Sequence, residues 1–407
     1  MSAPRIAVVS FPGNNCEVES LRAIKNAGMD AMFFRWNEDR GTLKDVDGYF
    51  IPGGFSYEDR GRSGMVAARD PLMDFIGQEA ERGKVVIGNC NGAQILIESG
   101  LVPLGGSLDM SLARNISDGN PAGFLSEWVW MTPSCSPERC ATSDWKGNMH
   151  VPIAHGEGRF TTRDKDLLSE LKKNDQIAFQ YSDGQGNASE SSAVTPNGAL
   201  YAIAGLCNAA GNVIALMPHP ERTPNGMPYF ASMKKWIEKG MKRKGDSGLK
   251  NISSAQEFVQ LPNAAPASIE VFIDTVITNN EERTVEAAAR RIEPELRLKQ
   301  LKYIPLKEEP SEYLRHIAHF NPNKEIAYVR RGKSLTRWNA QKKCEDASSS
   351  TLLSGFALLR RDEPFERVGD PGICYVINGI DEQKMCSKGM LEIFGNPHAS
   401  TLMRLSA

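Results

Sequence analysis

Several features are scarce in this chain of 407 residues. No run of about eighteen apolar residues occurs, so no membrane-spanning helix is expected. Neither sign of charge dominates: 48 Lys and Arg against 50 Asp and Glu leave a net charge of −2. That balance argues for no nucleic acid and no membrane among its partners. The opening, MSAPRIAVVSFPGNN, has neither a charged leader nor an apolar stretch of signal-peptide length, and a cytoplasmic location is expected. Histidine is rare, with six, so acid–base chemistry near neutral pH has few carriers. The eight cysteines, at positions 16, 90, 135, 140, 207, 344, 374 and 386, are scattered, and a reducing compartment argues against disulfides. Cys135 and Cys140 form a C-x4-C with no second pair, which reads as two loop thiols and not a metal centre.

What is present is the balance of a soluble globular protein, 41% hydrophobic and 24% charged. The length predicts two or three domains. Up to residue 100, strand and helix patterns alternate: strands at 5–10, 29–36, 48–54 and 84–89, helices at 16–28 and 71–83. That rhythm predicts an α/β fold, an open and mostly parallel sheet flanked by helices. Further strand runs follow at 124–131, 177–181, 199–208 and 212–218, separated by turn signals. A helix at 227–244, basic at its end, closes the first domain, 1–244. The Gly/Ser/Asn/Pro-rich stretch 245–268 reads as a linker. Beyond it lies a smaller α+β domain, 269–407: strand 269–278, helix 280–292 with Thr278 and Glu281 as a capping box, strand 298–306, helix 311–320 and strand 324–331. An Asn-Pro pair recurs at 321–322 and 396–397, which suggests two weak repeats, 269–334 and 350–407.

The chemistry concentrates at Gly88-Asn89-Cys90-Asn91-Gly92, a G-x-nucleophile-x-G pattern between a strand and a helix. A sharp turn there exposes the cysteine, and the following helix directs its amide dipoles at the sulfur, favouring the thiolate. A packed core cysteine is the plainer alternative. A nucleophile needs a base and a group to orient it. His219 follows a strand run in MPHPER, with Glu221 two residues on; His155 in PIAHGEGRF, with Glu157 equally near, is the rival, and spacing does not rank them. An oxyanion needs two N–H donors. The amide of Asn91 is one, and the Gly53-Gly54 loop, free to approach closely, offers the other.

Taken together, FPGNNCE, PGGFSY, GNCNGAQIL, PIAHGEGRF and MPHPER resemble the class I (triad-type) glutamine amidotransferases. The likeness is strongest to glutaminase subunits of phosphoribosylformylglycinamidine synthases, over roughly residues 4–240. It implies Cys90 as nucleophile, His219 and Glu221 as the catalytic pair, Gly54 and Asn91 as oxyanion donors, and Gln94 as a residue that seats substrate glutamine. His155 becomes a structural or partner-contact residue. The family pattern is broken at Glu58 and Arg60, where a glycine and an aromatic or aliphatic residue are usual, which bears on partner docking. The resemblance also implies ammonia transfer to a large synthetase subunit in purine biosynthesis. No G-x-x-x-x-G-K-[ST] loop occurs here, so no cofactor is expected in this chain, and ATP and Mg belong with that partner. The C-terminal domain has a faint likeness to the small bridging subunit of such complexes. Other hydrolases on the same scaffold, a γ-glutamyl hydrolase or cysteine peptidase, and a non-catalytic scaffold subunit are the alternative readings.

Overall fold

The computed structural model describes residues 2–240 and 257–405. The chain divides into two compact units, Met1–Ser253 and Ser254–Ala407. Among the described residues no helix is long and apolar enough to cross a membrane.

The first unit opens with β1 (Arg5–Ser10), α1 (Glu17–Asn26), β2 (Asp30–Arg35), β3 (Gly48–Ile51), α2 (Pro71–Glu81), β4 (Val85–Asn89) and α3 (Asn91–Glu98). It continues through β5 (Leu125–Pro133), β6 (Met149–His155), β7 (Ile177–Ser182), β8 (Ile203–Cys207), β9 (Val213–Leu216) and α4 (Met227–Glu238). Nine strands make one sheet in the order β2-β1-β3-β4-β9-β8-β7-β5-β6. The expected parallel sheet spans β2 to β9. From β9 to β6 every pairing is antiparallel. The central parallel strands are buried along their length, as a sheet flanked by helices requires. α2 begins where its sequence signals place it. The side chain of Asp70 accepts from Leu72 N, and Pro71 occupies the first turn, where its missing N–H costs nothing.

β6 is a strand that the sequence pattern did not mark. Pro152 argues against a strand interior, but β6 is the edge of the sheet, where a proline is tolerated. The strand expected at 199–208 begins with a 3-10 turn at Leu200–Ala202 and becomes extended only at Ile203. The closing helix ends at Glu238, and residues 241–244 of the expected span lie outside the described residues. Cys135 and Cys140 are buried, with Cys140 beside Cys207.

The second unit contains β10 (Ile269–Thr275), α5 (Asn280–Ala289), β11 (Arg297–Leu306), β12 (Glu325–Arg331), β13 (Ser334–Asn339), β14 (Cys344–Ser349), β15 (Phe356–Asp362), β16 (Gly372–Asn378), α6 (Lys388–Phe394) and β17 (Ser400–Arg404). Its eight strands form one antiparallel sheet, β14-β13-β12-β10-β11-β16-β15-β17. The capping box expected at Thr278 and Glu281 is displaced by one residue: Asn279 caps α5 and accepts from Glu282 N. The helix expected at 311–320 is one short turn, Pro310–Leu314. A helix over so few residues gains little once begun, and Pro322 keeps Asn321 out of helical geometry. Of the stretch read as a linker, 245–256 lies outside the described residues. Val259 N donates to Cys386 O and Ala264 N to Arg404 O, so its end is tied to the second unit.

Candidate active site

β4 and β9 run parallel with Leu216 opposite Asn89, so both strands end together. That register brings Cys90 alongside the Met217-Pro218-His219 segment, and Cys90 N donates to Leu216 O at 2.7 Å. Cys90 has φ 52° and ψ −108°, a conformation a side-chain-bearing residue adopts only when its surroundings impose it. The flanking glycines explain how. A Cβ on Gly88 would sit 2.4 Å from Gly92 O, and one on Gly92 would sit 2.0 Å from Ile51 O. The G-x-C-x-G spacing is therefore a steric requirement of the elbow. Cys90 Sγ is buried and lies 3.6 Å from Ala154 O.

His219 and Glu221 follow β9 on a turn fixed by Pro218 and Pro220, with His219 N donating to Pro152 O. The imidazole Nδ1 is 2.5 Å from Glu221 Oε1. The other carboxylate oxygen accepts from Asn89 Nδ2 at 2.9 Å, and Asn89 in turn accepts from the Tyr229 hydroxyl. Burial alone would lower the pKa of His219. The negative charges of Cys90 and Glu221, with the sulfurs of Cys16 and Cys90 against the ring, outweigh it and hold His219 well above its usual value. Burial would likewise raise Glu221, but the His219 charge and its hydrogen bonds hold it low. The Glu221 carboxylate on Nδ1 thus favours the imidazolium form of His219.

Gly53 and Gly54 pass close to this group. A Cβ on Gly53 would meet His219 Cε1 at 2.7 Å, and one on Gly54 would meet Asn14 Cα at 2.6 Å. Asn15 N donates to Gly53 O and Phe55 N to Gly13 O. That pairing leaves the N–H of Gly54 turned away from residues 13–15. The N–H of Asn91 is the first of α3 and has no intrahelical acceptor. The Asn91 side chain binds the surrounding loops: it donates to Gln94 Oε1 and Asp59 Oδ1, and accepts from Ser56 N and Asn14 Nδ2. Gln94 Nε2 donates to Glu157 O at 2.5 Å.

The six expected residues, Cys90, His219, Glu221, Gly54, Asn91 and Gln94, converge at the ends of β3, β4 and β9. His155, the rival base, is buried with neither ring nitrogen hydrogen-bonded, its ring against the Cα of Gly158. Burial first, and the nearby His219 charge second, push it down to about 3, so it is neutral. Glu58 and Arg60, the break in the loop pattern, pair with each other at 3.0 Å, with Glu58 exposed.

Sequence reasoning missed Asn89, which bonds a carboxylate 132 residues away. It also missed Cys16, whose Sγ accepts from Arg222 Nη2 at 2.9 Å. Cys16, His219 and Glu221 hold metal-ligand atoms within 4.8 Å of one another. Nδ1 of His219 is engaged by Glu221 and the Cys16 sulfur by Arg222, so these groups are already committed to one another.

Residues 3–258 match the family model of the CobB/CobQ-like glutamine amidotransferase domain. A phosphoribosylformylglycinamidine synthase subunit PurQ from Methanothrix thermoacetophila is 40% identical over 257 residues, 58% of this chain and 98% of that protein. The PurQ subunit from Pyrococcus furiosus is 38% identical over 241 residues, 57% of this chain and 98% of its own length. A chain from the structure of PurLQS from Thermotoga maritima is 31% identical, covering 58% of this chain and 99% of its own, at a TM-score of 0.46. The family match ends at residue 258, so almost all of the second unit lies beyond it. The match over more than half of its length, with relatives near 40% identity spanned almost whole, makes this chain a member of the CobB/CobQ-like glutamine amidotransferases.

Proposed function

We propose that the chain hydrolyses glutamine to glutamate and ammonia, and hands the ammonia to a synthetase partner that makes formylglycinamidine ribonucleotide in purine biosynthesis. The carrying observation is Cys90 on its strained elbow, set by strand register beside a buried His219–Glu221 pair. The Cys90 thiolate attacks the carboxamide carbon. The N–H groups of Gly54 and Asn91 receive the oxyanion that forms. His219, held protonated by its neighbours, gives its proton to the departing ammonia, leaving a glutamyl thioester on Cys90. The now neutral imidazole takes a proton from water, whose oxygen attacks the thioester carbonyl, and glutamate leaves as the thiolate returns. Glu221 keeps the imidazole oriented throughout.

ATP and Mg are assigned to the synthetase. Replacing Cys90 with Ala is expected to abolish glutamine-dependent synthesis by the assembled complex and to spare ammonia-dependent synthesis. Glutamine hydrolysis retained by Cys90→Ala would overturn the assignment. A peptidase or a γ-glutamyl hydrolase would release no ammonia from free glutamine, so product analysis separates those readings.

We further propose that the second unit is two copies of one three-stranded element and serves as a bridge to the synthetase. The strand registers support the duplication. Aligning Asn321-Pro322 with Asn396-Pro397 makes Glu325 equivalent to Ser400. Thr275 lies opposite Glu325, and Asp362 lies opposite Ser400. β10 then falls on β15 end to end, and Ile273 falls on Arg360. Ile273 pairs with Lys302 and Arg360 with Ile373. Lys302 and Ile373 are therefore equivalent, and they face each other where β11 meets β16, as a local two-fold axis between the copies requires. The copies are unequal: α5 has its place only in the first and α6 only in the second, and the β13–β14 hairpin extends one edge.

A further inference from the structure

The triad and the oxyanion donors leave two carboxylates beside them unexplained. Asp59 follows Tyr57 and Glu58 in a run of three side-chain-bearing residues with φ of 52°, 58° and 53°. The loop is held there by Tyr57 N donating to Pro12 O. Its turn delivers the Asp59 carboxylate to Asn91 Nδ2, at 3.3 Å. Glu157 comes from the opposite side, after β6, with its main-chain oxygen on Gln94 and Oε2 accepting from Ser63 N at 3.1 Å. Asp59 by its carboxylate, and Glu157 by its main-chain oxygen, are therefore tied to the first turn of the helix that follows the nucleophile, and the Glu157 carboxylate rests on the Ser63 amide.

Their partners are neutral. Asp59 is met by Asn91 and Ser63, and Glu157 by the Ser63 amide. The nearby cations are used elsewhere: Arg60 pairs with Glu58, and Arg62 with the buried Glu98. Burial, then the Glu157 charge, push the Asp59 carboxyl up to about 7, as expected of a buried acid close to another acid. Independently, Ser56 Oγ and both ring nitrogens of His155 are buried polar groups with no hydrogen-bond partner among the described residues. Buried groups of this kind are normally satisfied, so a polar ligand is expected there.

We propose that Asp59 and Glu157 bind the α-ammonium group of the substrate and so restrict the site to free glutamine rather than carboxamides in general. This rests on the glutaminase reading and names how that site recognises its substrate. The ammonium supplies the cation that the two acids lack, and charge-assisted hydrogen bonds of this kind discriminate strongly against an analogue without the donor. Peptide asparagine and glutamine side chains, which lack a free ammonium at the α-carbon, are excluded by the same contact.

The test uses the full chain with its synthetase partner and two substrates, glutamine and glutaramate, which has the same carboxamide and carboxylate but no amine. The unaltered protein is expected to prefer glutamine. Asp59→Asn and Glu157→Gln are each expected to lower kcat/KM for glutamine about 100-fold, chiefly through KM. The value for glutaramate should fall far less, so the preference collapses, and Asp59→Glu should restore part of it. A preference that survives both substitutions, or equal losses on both substrates, would overturn the proposal. Circular dichroism identifies a variant that fails to fold, and the other then decides. If the unaltered complex does not hydrolyse glutamine at all, it is the glutaminase reading that fails.

Discussion

Cys90 was legible as a candidate from its elbow between glycines, but a histidine with a carboxylate two residues on fits both His219–Glu221 and His155–Glu157, and only the family resemblance singled out the first. Asp59 and Glu157 were not legible, because what relates them is their shared contact with Ser63 across nearly a hundred residues of chain, and no local pattern records that. The titration of Asp59 gives a test free of any substrate. The Asp59 carboxyl titrates near 3.8 when unfolded and about 7 when folded. Between those values the folded state binds more protons, so stability falls as pH rises from about 4 to 7. Asp59→Asn is expected to stabilise the ligand-free protein at pH 8, by about 2 kcal/mol, and to leave it nearly unchanged at pH 4. Thermal unfolding at the two pH values checks this. Such a variant would be more stable and a poorer glutaminase, which a purely structural role for Asp59 does not produce. His155 has the opposite sign. It titrates near 6.5 unfolded and at about 3 folded, so the unfolded state binds the extra proton and stability is lost as pH falls from about 6.5 toward 3. His155→Phe should flatten that acid limb in urea unfolding measured across the same range; an unchanged slope would show that the ring is not held neutral.

At the scale of elements, strands and helices with uniform burial or clear caps were readable, as with β1, β4 and α2. Those set by neighbours were not. β6 contains Pro152 and forms only because it lies at an edge with β5 beside it, and the turn after Pro310 stops at Leu314 despite a helical pattern. The loop that carries Asp59 shows why the break at Glu58 and Arg60 is tolerated. Its anchor is Arg62, paired at 2.5 Å with Glu98 at the end of α3, both side chains buried. Removing one partner of a buried ion pair typically costs about 3–5 kcal/mol. Glu98→Gln is therefore expected to lower the unfolding midpoint in urea and raise KM for glutamine, since the loop that holds Asp59 loses its charge partner. Replacing Glu58 with Gly should do neither, because that residue is exposed. The elbow itself is less forgiving. Gly92→Ala would place a methyl against Ile51 O, and an insoluble or inactive product is expected; wild-type glutaminase activity from this variant would show that the elbow can relax.

For the whole molecule, the α/β class of the first unit followed from alternation alone, while the antiparallel half of its sheet did not, since strand order depends on which runs meet in space. The second unit carried one legible trace of its construction, the repeated Asn-Pro. The pairing of Lys302 with Ile373 supports the proposed two-fold relation between β10–β11–β12 and β15–β16–β17. A module of this form offers two similar faces from one chain, and the PurQ relatives, spanned almost whole by the first unit and its neighbouring residues, are complete without it. The second unit is thus separable from the glutaminase chemistry in principle, and a chain ending at Ser253 tests the division of labour. Cys90 in that shortened chain is expected to be labelled by a glutamine-like electrophile at the rate seen in the full chain, because every residue of the site lies before residue 222. Co-elution with the synthetase on size exclusion is expected to weaken or vanish. If the shortened chain binds the synthetase as well as the full chain does, the bridging role is removed.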